Sequence, residues 1–358
     1  MQKNNTQMKD LYDKMLGHFL AELPFAVYAK PGSNTVTGVF QVDKASYNTN
    51  DFTGAGFVFA PFAEGTTVFI PFDKADVIVT EAPGDNNIVS ELPEITIDAA
   101  AKASFEALVS KSVAAIKTGK FDKLVTSRTE NVAHTTSPFS IYSRLLYTYP
   151  NAFRYCFYSP ATGMWMGATP EQLLKAEDNT VHTVALAGTQ LFDPENKAIW
   201  QDKEQQEQQF VTNYILDQLA EFTTTIQQTA PYTFRAGNIV HIKTDISAVL
   251  KQGTPLGAVI NKLHPTPAVC GLPKAGAKQF LLENEGYNRE YYSGFLGELN
   301  HDFVTGQPKT DLFVNLRSMK LKSNSAQLFI GCGITADSDP EKEFFETVNK
   351  SATMRKVL

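Results

Sequence analysis

The chain has 358 residues, 43% of them hydrophobic and 20% charged, with a formal net charge of −6. This is the composition of a soluble globular protein with enough material for a large core. The acidic balance argues against nucleic acid or an anionic membrane as the main partner, so an anionic ligand must be met by local cations or a metal. Cys156, Cys270 and Cys332 are isolated, odd in number and without ligand spacing, and read as reduced thiols of a cytoplasmic protein. The opening MQKNNTQMKDLYDKM lacks the apolar run of a signal peptide, and no stretch is long enough to span a bilayer.

Met8, Leu11, Met15, Phe19 and Leu20 share one side of an amphipathic helix over residues 6–22. Five short strands are expected next, over 25–30, 35–41, 56–62, 67–72 and 76–80, with a turn at Pro31-Gly32-Ser33. Strands without intervening helices predict antiparallel sheet. This region holds no cluster of titratable residues and reads as scaffold. A long helix over 97–118 carries Phe105, Leu108, Val113 and Ile116, and a strand over 123–128 opens with Lys123. A lone lysine at such a place is ordinarily a solvated edge residue.

A helix over 137–147 leads to paired strands at 153–158 and 163–168, which run into Gly167-Ala168-Thr169-Pro170-Glu171. Thr169 suits a helix cap, Pro170 a first turn, and Glu171 the place where the helix dipole favours a carboxylate. Capping alone would account for this Glu. Ala187-Gly188-Thr189 turns away from a strand over 183–186. The most helical stretch, 197–222, puts Glu204 and Glu207 one turn apart, the spacing of a solvated face and also of an oxygen-ligand cation site.

A short strand over 241–245 and a helix over 255–263 lead to His264-Pro265-Thr266-Pro267-Ala268, where the prolines predict a stiff, extended segment. A helix over 274–284 precedes Arg289, Tyr292 and Gly294 and a strand beyond them. Late strands are expected over 313–317, delivering Arg317, and over 327–330, before a bend at Gly331-Cys332-Gly333. After a turn at Asp337-Ser338-Asp339-Pro340, a helix carries Glu343, Glu346 and Lys350 on one face. Such a stretch is either a solvated helix after a glycine bend or a holder of an anion and a divalent cation side by side.

The ordered series KLVTSR, GATPEQLL, ALAGT, DKEQQEQ, HPTPAVCGLP, REYYSG, NLRSMKL and GCGITADSDPEKEFFETVNK resembles the chorismate-binding enzyme family, and within it the isochorismate synthases. The likeness runs over residues 100–358. The resemblance implies an α+β fold of two large antiparallel β-sheets packed face to face with helices outside. Residues 1–95 would be an N-terminal helix and strands integral to the same domain, and 96–358 the chorismate-binding catalytic region.

The resemblance also implies roles. Lys123 corresponds to the general base that activates water, and Glu171 to the general acid that protonates the leaving C4 hydroxyl of chorismate. Glu207 and Glu346 correspond to the principal Mg2+ ligands, with Glu204 and Glu343 one turn away as outer-shell or alternate ligands. Arg317, Tyr292, Lys350 and the backbone around Gly331 and Gly333 correspond to the groups that hold the substrate's carboxylates. Ala187 and Gly188 correspond to substrate-binding positions, and His264 to a residue beside the ring. Chorismate is a dianion, and carboxylates gathered near it would repel it and one another unless a divalent cation sat between them. The chemistry needs a neutral Lys123 and a protonated Glu171.

Three positions choose among sister chemistries. Ammonia-using relatives usually carry Gln where Lys123 stands, so the lysine points to water as nucleophile. Ala187 stands where aminodeoxychorismate synthases carry a covalent lysine. Salicylate synthases share Lys123 and Glu171 and go on to eliminate pyruvate, whereas the stretch from His264 to Ala268 favours isochorismate synthases. Gln208, where many relatives have His, and Cys332, where Ala is common, are departures. The reading is a Mg2+-dependent isochorismate synthase, an isomerase, serving menaquinone or siderophore synthesis. A salicylate synthase and a non-catalytic chorismate-binding module are the alternatives. A cytoplasmic monomer is expected, with chorismate and isochorismate as ligands and no nucleic-acid or membrane partner.

Overall fold

The computed structural model describes residues 8–82, 95–236 and 239–358. The expected first helix is found as α1 (Met8–Leu20); positions 6 and 7 lie outside the described residues. It is followed by β1 (Phe25–Ala29), β2 (Thr35–Gln41), β3 (Gly56–Ala60), β4 (Val68–Pro71) and β5 (Ala75–Glu81). Then come α2 (Ala99–Lys117), β6 (Lys123–Ala133), α3 (Pro138–Thr148), β7 (Phe153–Ser159), β8 (Gly163–Thr169), β9 (Gln172–Glu177) and β10 (Thr180–Leu191). The chain continues with α4 (Asp202–Ala220), β11 (Thr223–Gln228), β12 (Tyr232–Ala236), β13 (Ile239–Leu250), α5 (Leu256–Leu263), β14 (Gly271–Leu272) and α6 (Lys274–Asn284). It closes with β15 (Phe295–Leu299), β16 (Lys309–Val314), β17 (Ser318–Leu321), β18 (Ser325–Ile334) and α7 (Pro340–Arg355).

One sheet has the order β14-β6-β18-β17-β8-β7-β1-β2-β5, and the other β11-β13-β10-β9-β16-β15-β3-β4, with β12 added on β13. Neighbouring strands are antiparallel, as in the Phe25↔Phe40 pairing of β1 with β2 and the Phe295↔Ala60 pairing of β15 with β3. Strand β7 shows why its sequence is apolar throughout. Phe153, Tyr155 and Phe157 enter an aromatic core shared with Phe57, Phe59 and Phe313 of the facing sheet. Cys156 and Tyr158, on the opposite side of the same strand, pack with Leu11 and Met15 of α1 and Ile141 and Leu145 of α3. A strand covered on both faces loses the polar alternation of a half-exposed one. The two sheets meet through stacked rings, including Phe153 on Phe313 with centroids 4.3 Å apart.

Helices cover the outer faces. α4 and α5 bury Val211, Ile215, Val259 and Ile260 against Leu174, Ala185 and Ile246 of the second sheet. α2, α6 and α7 bury Phe105, Leu281 and Phe344 against Leu124 and Cys332 at the β6–β18 end of the first. Among the described residues no helix is long and apolar enough to cross a membrane.

Several local expectations are corrected. No helix begins at Thr169-Pro170-Glu171: β8 breaks at Pro170 and resumes as β9, because 172–177 pairs with both β10 and β16. Ala187-Gly188-Thr189 does not leave the sheet. β10 runs through it with an irregularity against β13 between Ala187 and Gln190, and Gly188 takes a φ of +71° there. The helix expected from 197 starts at Asp202. The segment between the prolines is a turn closed by Val269 and Cys270 N–H groups on Thr266 O, with a cis His264–Pro265 bond. Arg317 sits at the corner between β16 and β17 with φ +48°, not on a strand. Gly331-Cys332-Gly333 is no bend: β18 continues to Ile334, paired with β6.

Candidate active site

The site forms where the N-terminal part of α4 and the middle of α7 approach Gly333 and Gly331 of β18. Lys123 opens β6 and is fully buried, and its Nζ lies 2.8 Å from Glu207 Oε1. Glu207 belongs to the second turn of α4. Its place depends on Gly333: a Cβ there would meet Glu207 Oε1 at 2.3 Å and Lys123 Cε at 3.2 Å. Burial pushes the Glu207 carboxyl up, but Lys123, Lys350 and Lys203 outweigh that and hold it below its ordinary value.

Across the cavity, Glu346 and Lys350 lie one turn apart on α7 and pair at 2.7 Å. Lys350 Nζ also donates to Gly331 O at 3.1 Å, which draws α7 onto β18. The capping of α7 explains its register, with Asp339 accepting from Lys342 N at 2.9 Å and Pro340 opening the helix. Tyr292 comes from the loop before β15, and its hydroxyl stands 2.9 Å from where a Gly331 Cβ would be. Arg317 is fixed by its backbone, since Ala168 N donates to Arg317 O, and its Nη1 reaches Thr353 Oγ1 at 3.4 Å.

Glu171, at the β8–β9 break, is 6% exposed. Burial pushes its carboxyl up to about 7, against the opposing pull of Lys123, Arg317 and Lys350. Glu171, Ala187, Gly188, Glu207, Tyr292, Arg317, Gly331, Gly333, Glu346 and Lys350 all line one cavity, with Lys123 beneath Glu207. The fold thus brings together residues drawn from seven separate stretches of sequence.

Three expected residues stand apart. Glu204 spends its carboxylate on the N-terminus of its own helix, accepting from Gln201 N at 2.9 Å. Glu343 is buried and paired with Lys203 at 2.7 Å; burial and the nearby Glu346 raise its carboxyl. Neither lines the cavity. His264 does not line it either: its Nε2 lies 3.2 Å from Pro61 O and its ring packs on Phe295.

The histidine that does face the cavity is His241, on β13. Its Nδ1 lies 2.8 Å from Gly188 O, so Nδ1–H donates to that carbonyl and leaves Nε2 as an acceptor. That Nε2 is buried without a partner among the described residues. Burial, then Arg317, pushes the imidazole down to about 3, so it is neutral. A lone His in a strand gives no signal in sequence; the irregularity in β10 that puts Gly188 opposite it decides its place.

Among the described residues, no three His, Cys, Asp or Glu side chains gather closely enough to hold a metal ion. Mg2+ commonly takes only one or two protein carboxylates and completes its shell with water and substrate oxygens. Glu207 and Glu346, both on the cavity wall, fit that requirement when a dianionic ligand shares the ion.

The family model described as chorismate binding enzyme matches residues 73–358. The chain belongs to the chorismate-binding enzyme family. It is 31% identical over 268 residues to isochorismate synthase MenF of Escherichia coli, covering 72% of this chain and 60% of the relative. It is also 31% identical over 267 residues to the salicylate biosynthesis isochorismate synthase of Pseudomonas aeruginosa, covering 72% and 55%. The match thus spans less than two thirds of either relative's own length. The solved structure of the menaquinone-specific isochorismate synthase MenF from Escherichia coli superposes with a TM-score of 0.75 at 21% identity, covering 94% of this chain and 88% of that one. That likeness shows the shared fold, and the expected pair of face-to-face antiparallel sheets is borne out.

The two residues expected to depart from the family pattern, Gln208 and Cys332, are both buried. Gln208 is buried and donates through Nε2 to Thr212 and Thr244 Oγ1, both at 2.8 Å, which ties α4 to β13 behind the site. Cys332 is on the cavity wall, its thiol pushed well up by burial.

Proposed function

We propose that the protein is an isochorismate synthase that converts chorismate to isochorismate in a Mg2+-dependent isomerisation. The observation that carries this reading is a buried carboxyl raised to about 7, Glu171, facing the same cavity as the Glu207 carboxylate above Lys123. Separated acid and base groups in one pocket are what water attack at C2 with departure of the C4 hydroxyl requires. Lys123, in its neutral form, takes a proton from the attacking water, and Glu171 gives its proton to the leaving oxygen. One water enters and one leaves, so the ring composition is unchanged.

Arg317, Tyr292 and Lys350 bind the two substrate carboxylates and orient the ring between acid and base. Glu207 and Glu346 would hold Mg2+, whose contribution when bound is to polarise a substrate carboxylate and draw electron density from the ring. His241, with its acceptor nitrogen bare, takes the place beside the ring first expected of His264. In this reading the protein is a cytoplasmic monomer whose product enters menaquinone or siderophore synthesis; the menaquinone-specific title of the Escherichia coli structure that shares its fold supports the first of these.

The test is to incubate the purified protein with chorismate and Mg2+ and to separate the products by chromatography. Isochorismate alone is the expected product. Salicylate with pyruvate would move the protein to the lyase branch, and unchanged chorismate would make it a binding module. Lys123→Ala is expected to lower the rate by at least about a hundredfold while chorismate binding, followed by calorimetry, is retained.

A further inference from the structure

Strand β6 carries Lys123 at its start, and one of its edges is only briefly paired. β14 meets it at Gly271↔Leu124 and Leu272↔Lys123 alone. Asp122 N donates to Leu272 O and Val125 N to Cys270 O, and there the neighbouring strand ends. The next backbone groups on that edge, Val125 O and Ser127 N, would be orphaned acceptors and donors in a buried place.

Two side chains take them. Arg289 Nη2 donates to Val125 O at 2.6 Å, and Glu285 Oε1 accepts from Ser127 N at 2.7 Å and from Ser127 Oγ at 2.8 Å. The two side chains are joined by a bidentate pair, Nε to Oε2 at 2.7 Å and Nη2 to Oε1 at 2.5 Å. The remaining arm, Arg289 Nη1, donates to Val269 O at 2.9 Å. Val125 and Val269 both line the cavity, whereas Glu285 and Arg289 do not.

We infer that Glu285 and Arg289 form a positioning pair that stands in for the missing strand and sets the height of the Lys123–Val125 segment and the Val269 wall over the cavity. Arginine is required because its planar fork addresses a carboxylate and two carbonyls at fixed angles; a lysine offers one mobile point charge. Both side chains of the pair are 2% exposed, so no water can replace a lost arm without rearrangement. The inference rests on the proposed function for its kinetic arm alone.

The test uses full-length Arg289→Lys, with Glu285→Gln as a second variant should the first not fold. Hydrogen exchange is expected to show residues 123–127 losing protection by at least about tenfold while β7 and β8 keep theirs, since exchange follows local opening. With chorismate, kcat is expected to fall by about 10- to 100-fold with KM within about threefold, because the acid–base geometry shifts while the carboxylate-binding groups stay. Unchanged exchange at 123–127, loss of protection throughout the chain, or an unchanged kcat in a folded variant overturns the inference. If the wild-type protein makes no isochorismate, the functional reading fails, and the exchange pattern alone decides the pair's role.

Discussion

Glu171 pays for its chemistry in stability. Burial moves its carboxyl from 4.5 to about 7, a shift of 2.5 pH units at about 1.36 kcal/mol each, or about 3 kcal/mol. A carboxyl raised in the folded state contributes stability that is fully present below its unfolded value and lost as pH rises through its folded value, here between 4.5 and about 7. Glu171→Gln removes both the acid and this penalty. The variant is expected to lose turnover yet melt above wild type at about pH 8.5, with the gap closing by about pH 5. Identical melting differences at both pH values would refute the assignment. At Glu346, substitution by Ala should raise the Mg2+ needed for half-maximal rate by at least about tenfold, as losing even an outer-shell partner does. An unchanged Mg2+ titration counts against it as a ligand. Lys123, Glu171, Glu207, Glu346, Arg317, Tyr292 and Lys350 were legible because each sits in a motif with its neighbours. His241 was not, since its meaning comes from a carbonyl on another strand.

At the scale of elements, the sequence was most readable where a strand's apolar run was bounded by turn residues, as for β1, β2, β7 and β8. It misled where one local signature serves two structures. Thr-Pro-Glu suits a helix start, but the pairing of β9 with two neighbours decides for strand. Gly331-Cys332-Gly333 suits a bend, but its backbone is held in the β6 ladder, and the glycines serve closeness of approach instead. That difference is testable. At 333 the strand has no positive φ, so Ala is compatible with the backbone, but its Cβ would displace the Glu207 carboxylate from the space it occupies. Gly333→Ala is expected to leave the melting temperature within a few degrees and to lower turnover by about 100-fold, the cost of displacing a catalytic group by an ångström. A large loss of stability with unchanged specific activity would show a folding role instead.

Over the whole molecule, the N-terminal strands and the site-bearing part are interleaved in both sheets. β1 lies between β7 and β2, and β3 between β15 and β4. Phe59 of β3 stacks on Tyr291 with centroids 4.3 Å apart, one residue from the cavity-lining Tyr292. Tyr28 and Lys30, in and just after β1, reach Glu298 of β15 at 2.5 Å each, so the early strands also tie one sheet to the other. Glu298 is 1% exposed, and burial raises its carboxyl despite Lys30. A fragment of residues 96–358 would expose the β7 and β15 edges, the aromatic faces of Phe153 and Phe157, and a buried carboxylate without its cation. Leaving a buried charge unpaired costs about 3–5 kcal/mol, a large share of a typical folding free energy of about 5–15 kcal/mol. The fragment is therefore expected to be aggregation-prone, to bind a hydrophobic dye and to lack a cooperative melt, although it contains every residue proposed to touch chorismate. A soluble fragment that melts cooperatively and turns over chorismate would show that 96–358 is a domain in its own right.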